Sequence, residues 1–129
     1  MAALAPQAVI VVLGPSGLDT ALTAADALAD GLGGAEIHAA FQTPQATQRF
    51  DDVKAHLRSL YMSGRPIVGV CAAGILIRLL APVLEDKRTE PPMLALAEDG
   101  SAVVPLLGGL VSIRLALKVE PLTAIGLAS

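Results

Sequence analysis

Arg78 interrupts the apolar run from Ile75 to Val83, and Glu85, Asp86, Lys87, Arg88 and Glu90 follow it between Pro82 and Pro91. Guanidinium and ammonium groups hold carboxylates and phosphates through charge-assisted hydrogen bonds, and arginine does so with two parallel donors. A guanidinium buried without a counter-charge is costly, so Arg78 must reach water, a protein carboxylate or an anionic ligand. Pairing with Asp86 or Glu85 would make the cluster an internal ion pair. Projection toward a ligand would make it a site for anions.

Three glycine-bearing turns are the other places where chemistry could sit: Gly14-Pro15-Ser16-Gly17, Cys71-Ala72-Ala73-Gly74 and Leu107-Gly108-Gly109. Glycine lets backbone approach a ligand closely, and the first two turns open helices whose N-termini favour anions. Tight turns also use glycine for purely local reasons. The first turn is no phosphate loop, lacking Gly-Lys-Ser/Thr, and no nucleophile elbow, because Gly-x-Ser-x-Gly needs one more residue. Ser16 therefore reads as a cap or turn residue. His38 and His56 stand alone in sequence and read as structural or solvated, with no metal-ligand spacing. Cys71 follows an apolar strand and reads as an inert core thiol.

The elements that must position these residues follow from hydrophobic periodicity. Ala8–Leu13 and Pro66–Val70 are short apolar runs of buried-strand type, and Ala35–Phe41 is a weaker strand. Leu18–Ala29, Phe50–Met62 and Ile75–Leu84 carry helical spacing. Met93–Ala97 and Ala102–Leu107 flank Glu98-Asp99-Gly100-Ser101, the composition of a hairpin loop. The pattern predicts an α/β fold: a mostly parallel sheet of about five strands, helices on both faces, and a C-terminal antiparallel hairpin. All three glycine turns are expected at one end of that sheet, where ligands of parallel sheets bind. Residues 1–109 form the domain, and 110–129 read as a divergent tail.

Composition narrows the function classes. Of 129 residues, 53% are hydrophobic and 16% charged, against about 25% charged in an average soluble domain. That balance excludes disorder. A net charge of −3 gives no basic field for nucleic acid. The single cysteine excludes an internal disulfide and fits a reducing compartment. Mean hydropathy is high at +0.64, but the best membrane candidate, Pro66 to Leu84, holds Arg78 and Pro82 and breaks at Cys71–Gly74. A central arginine costs about 2.5–3.5 kcal/mol on insertion scales. A cytoplasmic protein with no membrane and no nucleic-acid partner is the expectation.

The segment Gly64–Gly109 resembles the N-terminal domain of the cobalamin-biosynthesis protein family CbiG. The features carrying the likeness are the strand Ile67–Val70, then Ala73-Gly74-Ile75, Arg78, Ala81-Pro82, Asp86-Lys87-Arg88, Pro91, Glu98-Asp99-Gly100 and Leu106–Gly109. Upstream, AVIVVLGPSGLDTA resembles a version in which this domain precedes a precorrin-3B C17-methyltransferase. The resemblance implies corrin ring synthesis, with hydrolysis of the ring-A lactone of cobalt-precorrin-5A and release of acetaldehyde. The ligand would be a corrinoid intermediate, a flat apolar macrocycle rimmed by carboxylates. Arg78, Lys87 and Arg88 would bind those carboxylates, with Gly17, Gly74, Gly108 and Gly109 at the rim. Asp86 or Glu85 would act as base on the attacking water. No cofactor of its own is implied, since cobalt would arrive within the substrate. Where the family has histidine after Gly-Gly, this chain has Leu110. That departure supports an alternative, a non-catalytic tetrapyrrole-binding or docking module beside a precorrin methyltransferase. A homodimer is compatible with either.

Overall fold

A computed structural model describes residues 7–29, 34–84 and 91–107. The two runs with the densest β-branched content form the centre. β1 (Ala8–Val12) and β4 (Ile67–Val70) are buried at every position. A strand buried on both faces needs helices above and below, which is why its sequence is continuous rather than alternating. Around this pair stand β2 (Ala35–Ala39), β3 (Gln48–Arg49), β5 (Met93–Leu96) and β6 (Val103–Leu107), in the order β3-β2-β1-β4-β5-β6. All neighbours pair in parallel except β5 and β6. The sheet is the expected one with one strand added. β3 escapes a periodicity argument because it is two exposed polar residues paired only through backbone.

The chain leaves β1 toward β2 and β3, then returns beside β1 as β4 and proceeds the other way. Right-handed crossovers that run in opposite directions put their helices on opposite faces. Accordingly α1 (Leu18–Ala29) buries Ala21, Ala24 and Leu28 against Ile10, Val12, Val68 and Leu94. On the other face, α2 (Val53–Ser63) and α3 (Ala73–Leu80) bury Leu57, Leu60, Leu76 and Leu80 against Val9, Val11, Ile67 and Met93.

Two helix boundaries differ from the periodicity. α2 starts at Val53 rather than Phe50, because the Asp52 carboxylate accepts the Ala55 N–H at 3.0 Å and caps the helix. Phe50 instead follows β3 and is buried. α3 starts at Ala73 and ends at Leu80, giving way to a 3-10 turn over Ala81–Val83. Pro82 has no N–H to return to Arg78, so the α-helical ladder cannot continue.

Close approach of α3 to the sheet depends on Gly69. A Cβ there would meet Leu76 Cδ1 at 2.7 Å, and Leu76 is wholly buried and cannot yield. Overpacking costs about 1–3 kcal/mol, which exceeds the roughly 0.5–1 kcal/mol gained by removing a glycine from a strand. Gly69→Ala should therefore lower the stability measured by urea unfolding. Wild-type stability in that variant would refute the α3–β4 seating.

Candidate functional site

The reversal of chain direction between β1 and β4 is a topological switch point, where open α/β sheets leave a crevice beyond their carboxyl ends. The turns after those strands, Gly14–Gly17 and Cys71–Gly74, both lie at that end, since β1 and β4 are parallel. The hairpin loop after β5 joins them. Together the post-β4 turn and the hairpin enclose a cleft of about 510 Å³, with Cys71, Ala72, Ala73, Ala97, Glu98 and Ser101 among its walls. Its lining is mostly small apolar side chains with one end of carboxylate and hydroxyl groups. The third glycine turn departs from expectation in its approach. β6 is antiparallel and its last residue, Leu107, pairs with Met93 at the opposite end of the sheet. Gly108 and Gly109 themselves lie outside the described residues.

Glu98 is the residue that sequence reasoning missed. Ser16 Oγ donates to its Oε2 at 2.5 Å, and Thr20 Oγ1 donates to its backbone carbonyl at 2.5 Å. The turn after β1 thus grips the hairpin loop across 82 residues of sequence, so no local pattern announces it. Gly14 is the N-cap of the 3-10 turn that holds Ser16, and the Ser16 hydroxyl serves this tether. Gly17 is buried beneath the same contact, where a Cβ would stand 2.8 Å from Val70 Cγ1 and 3.4 Å from Glu98 Cγ. Its lack of a side chain is what lets the turn close on the strand.

α3 begins at the cleft wall with Ala72 as an uncapped N-cap. Gly74 and Arg78, one turn apart, share its solvent-facing side with Ile75, 38% exposed, and Ile77, 51% exposed. A Cβ on Gly74 would meet nothing within 4 Å, so the rim of the cleft is open there. Arg78 is exposed on that side of the helix. It does not line the cleft but stands further along the helix that bounds it. Glu85, Asp86, Lys87 and Arg88 lie outside the described residues.

These features belong to a recognised group of proteins. Residues 55–125 match the family model described as cobalamin synthesis G N-terminal, more than half the chain. The chain belongs to that family. The match takes in most of α2, then β4, α3 and the hairpin, and runs past Gly109 to residue 125. A cobalt-precorrin-5A hydrolase from Priestia megaterium is 32% identical over 57 residues, 44% of this chain and 15% of that protein. A cobalamin biosynthesis protein G homologue from Sulfolobus solfataricus shares the fold with a TM-score of 0.61 at 18% identity. That alignment covers 88% of this chain and 34% of the homologue. The chain thus spans about a seventh of the curated relative and a third of the solved one.

Cys71, in the cleft wall, is a buried thiol. Burial, and secondly the Glu98 carboxylate, push its thiol from 9.0 up to about 11. Only the thiolate reacts, so a shift of that size leaves about a hundredfold fewer thiolates at pH 8. Iodoacetamide should alkylate Cys71 about a hundred times more slowly than an unperturbed thiol. Glu98→Gln should raise the rate by removing the second cause. A wild-type rate equal to that of free cysteine would disprove the buried, carboxylate-flanked position.

Among the described residues no group of three or more metal-ligating side chains assembles, and no helix is long and apolar enough to cross a membrane.

Proposed function

We propose that this domain binds cobalt-precorrin-5A at the β1–β4–β5 end of the sheet and takes part in opening its ring-A lactone. The observation carrying this reading is the join between the cleft and the outer side of α3. A cleft of about 510 Å³ is too small for a whole corrin, but suits one ring and its substituents. The rest of the macrocycle would lie over Gly74, Ile75 and Ile77, an apolar surface otherwise left to solvent. Arg78 would meet a peripheral acetate or propionate, and Lys87 and Arg88 would meet others.

Hydrolysis then divides into steps that this chain's groups can serve. Water adds to the lactone carbonyl while a carboxylate accepts its proton, and the ring oxygen leaves to give a free carboxylate and an alkoxide or alcohol. Backbone N–H groups of the first turn of α3 would face the oxyanion. Asp86 and Glu85 are the bases proposed from the sequence, and Glu98 is the carboxylate at the cleft itself. The hydroxyl of the freed hydroxyethyl group then loses its proton, the bond joining that group to the macrocycle breaks to release acetaldehyde, and the electron pair left on the ring carbon takes up a proton. A second reading, docking of the tetrapyrrole for a precorrin methyltransferase without turnover, is favoured by Leu110 standing where the family resemblance places histidine.

Titration of cobalt-precorrin-5A into the 129-residue chain, with acetaldehyde assayed alongside, tests both readings. A charge-assisted hydrogen bond is worth about 1.5–3 kcal/mol, so Arg78→Ala should weaken binding by about ten- to a hundredfold. Its melting temperature should be nearly unchanged, because Arg78 is exposed. Binding without acetaldehyde would favour the docking reading. Identical affinities for wild type and Arg78→Ala would remove Arg78 from the site.

A further inference from the structure

Away from the cleft, on the sheet face covered by α2, a continuous chain of ionisable side chains serves no step described above. His38 of β2 is 2% exposed. Its Nε2 lies 2.9 Å from Glu36 Oε1, and its Nδ1 lies 2.7 Å from His56 Nε2 on α2. Arg65 Nη2 donates to the same Glu36 oxygen at 3.0 Å, while Arg65 Nε donates to the Gln7 carbonyl at 2.9 Å. The His56 ring stacks on Phe50 with centroids 4.2 Å apart and an interplanar angle of 5°.

Proton positions follow from the partners. A carboxylate only accepts, so His38 Nε2 carries its hydrogen toward Glu36. In a neutral His38 the Nδ1 is then bare and accepts from His56 Nε2–H. One extra proton is tolerated, because it can sit on His56 Nδ1 without disturbing that bond. A second cannot be. Both facing nitrogens would then carry hydrogens 2.7 Å apart, between two positive rings. Neither ring is free to turn aside, since one is held by Glu36 and the other by Phe50.

We propose that His38 and His56 form a proton-operated latch, fastening α2 to the β2 side of the sheet while the pair holds at most one extra proton and releasing it at the second. The consequence would reach the site, because α2 supports α3: Arg58 Nε donates to the Leu79 carbonyl at 3.0 Å.

The other groups around the pair do not supply this behaviour. β1 presents Val11 opposite His38, and β3 presents the neutral Gln48. Arg49, Asp51, Asp52 and Lys54 are exposed, and Arg49 pairs with Asp51 at 2.9 Å. Glu36 is held below its usual 4.5 by the His38 hydrogen bond first and then by Arg65, so its share of stability is lost only at more acid pH. Burial, and then the charge of His38, hold His56 below 6.5. A base with a depressed folded pKa binds fewer protons in the fold than in the unfolded chain. Stability is therefore full above 6.5 and falls as pH drops from there through the folded value, a window above that of Glu36.

Urea unfolding of the 129-residue chain at pH 7.5, 6.5 and 5.5 reads the latch directly. The unfolding equilibrium constant of the wild type should rise by up to about tenfold per pH unit for each proton linked. In His56→Gln the amide can still donate to His38 Nδ1 but takes up no proton, so most of that rise should vanish. An equal rise in both proteins would overturn the proposal. Imidazole ¹⁵N spectra decide independently of the variant's folding. Both rings should be Nε2–H tautomers at pH 7.5, and His56 should take up its proton only below the ordinary imidazole value. Nδ1–H at His56 at pH 7.5, or a His56 midpoint at the ordinary value, would overturn it.

Discussion

The parallel pairing of β1 with β4 is the constraint from which the rest of the molecule follows. Val9, Ile10, Val11 and Val12 stand beside Ile67, Val68, Gly69 and Val70, with no more than 1% exposure for any of the named side chains. Residues so apolar on both faces can persist only if the chain covers each face with a helix. Because the chain diverges in opposite directions from this pair, the covering helices fall on opposite sides and their N-termini meet at one end. The cleft is a by-product of covering the core. Its position is thus fixed by burial, while its chemistry is free to come from the loops.

Those loops are held by small-residue contacts rather than by a second core. Gly69 admits Leu76 and so sets the height of α3 above the sheet, while Gly17 admits the turn that reaches Glu98. Neither glycine has a positive φ, so steric room and not backbone torsion is what each supplies. The contrast with Gly74 is informative. There an added Cβ would have nothing within 4 Å.

The sheet was legible in the sequence wherever burial was two-sided. Runs such as AVIVV and IVGV have few alternatives once they are too short for helices and too apolar for loops. Gln48–Arg49 was illegible for the opposite reason: an exposed two-residue strand imposes no side-chain pattern. The start of α2 had a readable signal in Asp52, three residues before the Ala55 N–H that it caps, which the apolar Phe50 outweighed. Arg78 lies on α3, the helix that the apolar spacing predicts. Glu98 was read as hairpin loop and as part of the family likeness but not as a site residue, because its partner Ser16 is distant in sequence. The two histidines were read as isolated and are in fact bonded to each other. His56 falls three residues after Val53 and four before Leu60, on the inward stripe of α2, but nothing local points to His38 as what it meets there.

The two ends of the strand order bear on how such an apolar chain avoids polymerising with its own copies. An open sheet edge offers a row of unpaired amides that another chain can extend, and the risk rises with strand length and flatness. At one edge β3 ends the sheet after two residues, with the charged Arg49 among them, too short to template a partner. Among the described residues the other edge is β6, where Pro105 removes a donor and the register is broken between Met93 and Leu94. The sheet is therefore most hydrophobic where it is enclosed and least able to propagate where it is open. Replacing Pro105 or lengthening β3 would leave the cleft intact while exposing the molecule to strand-by-strand assembly.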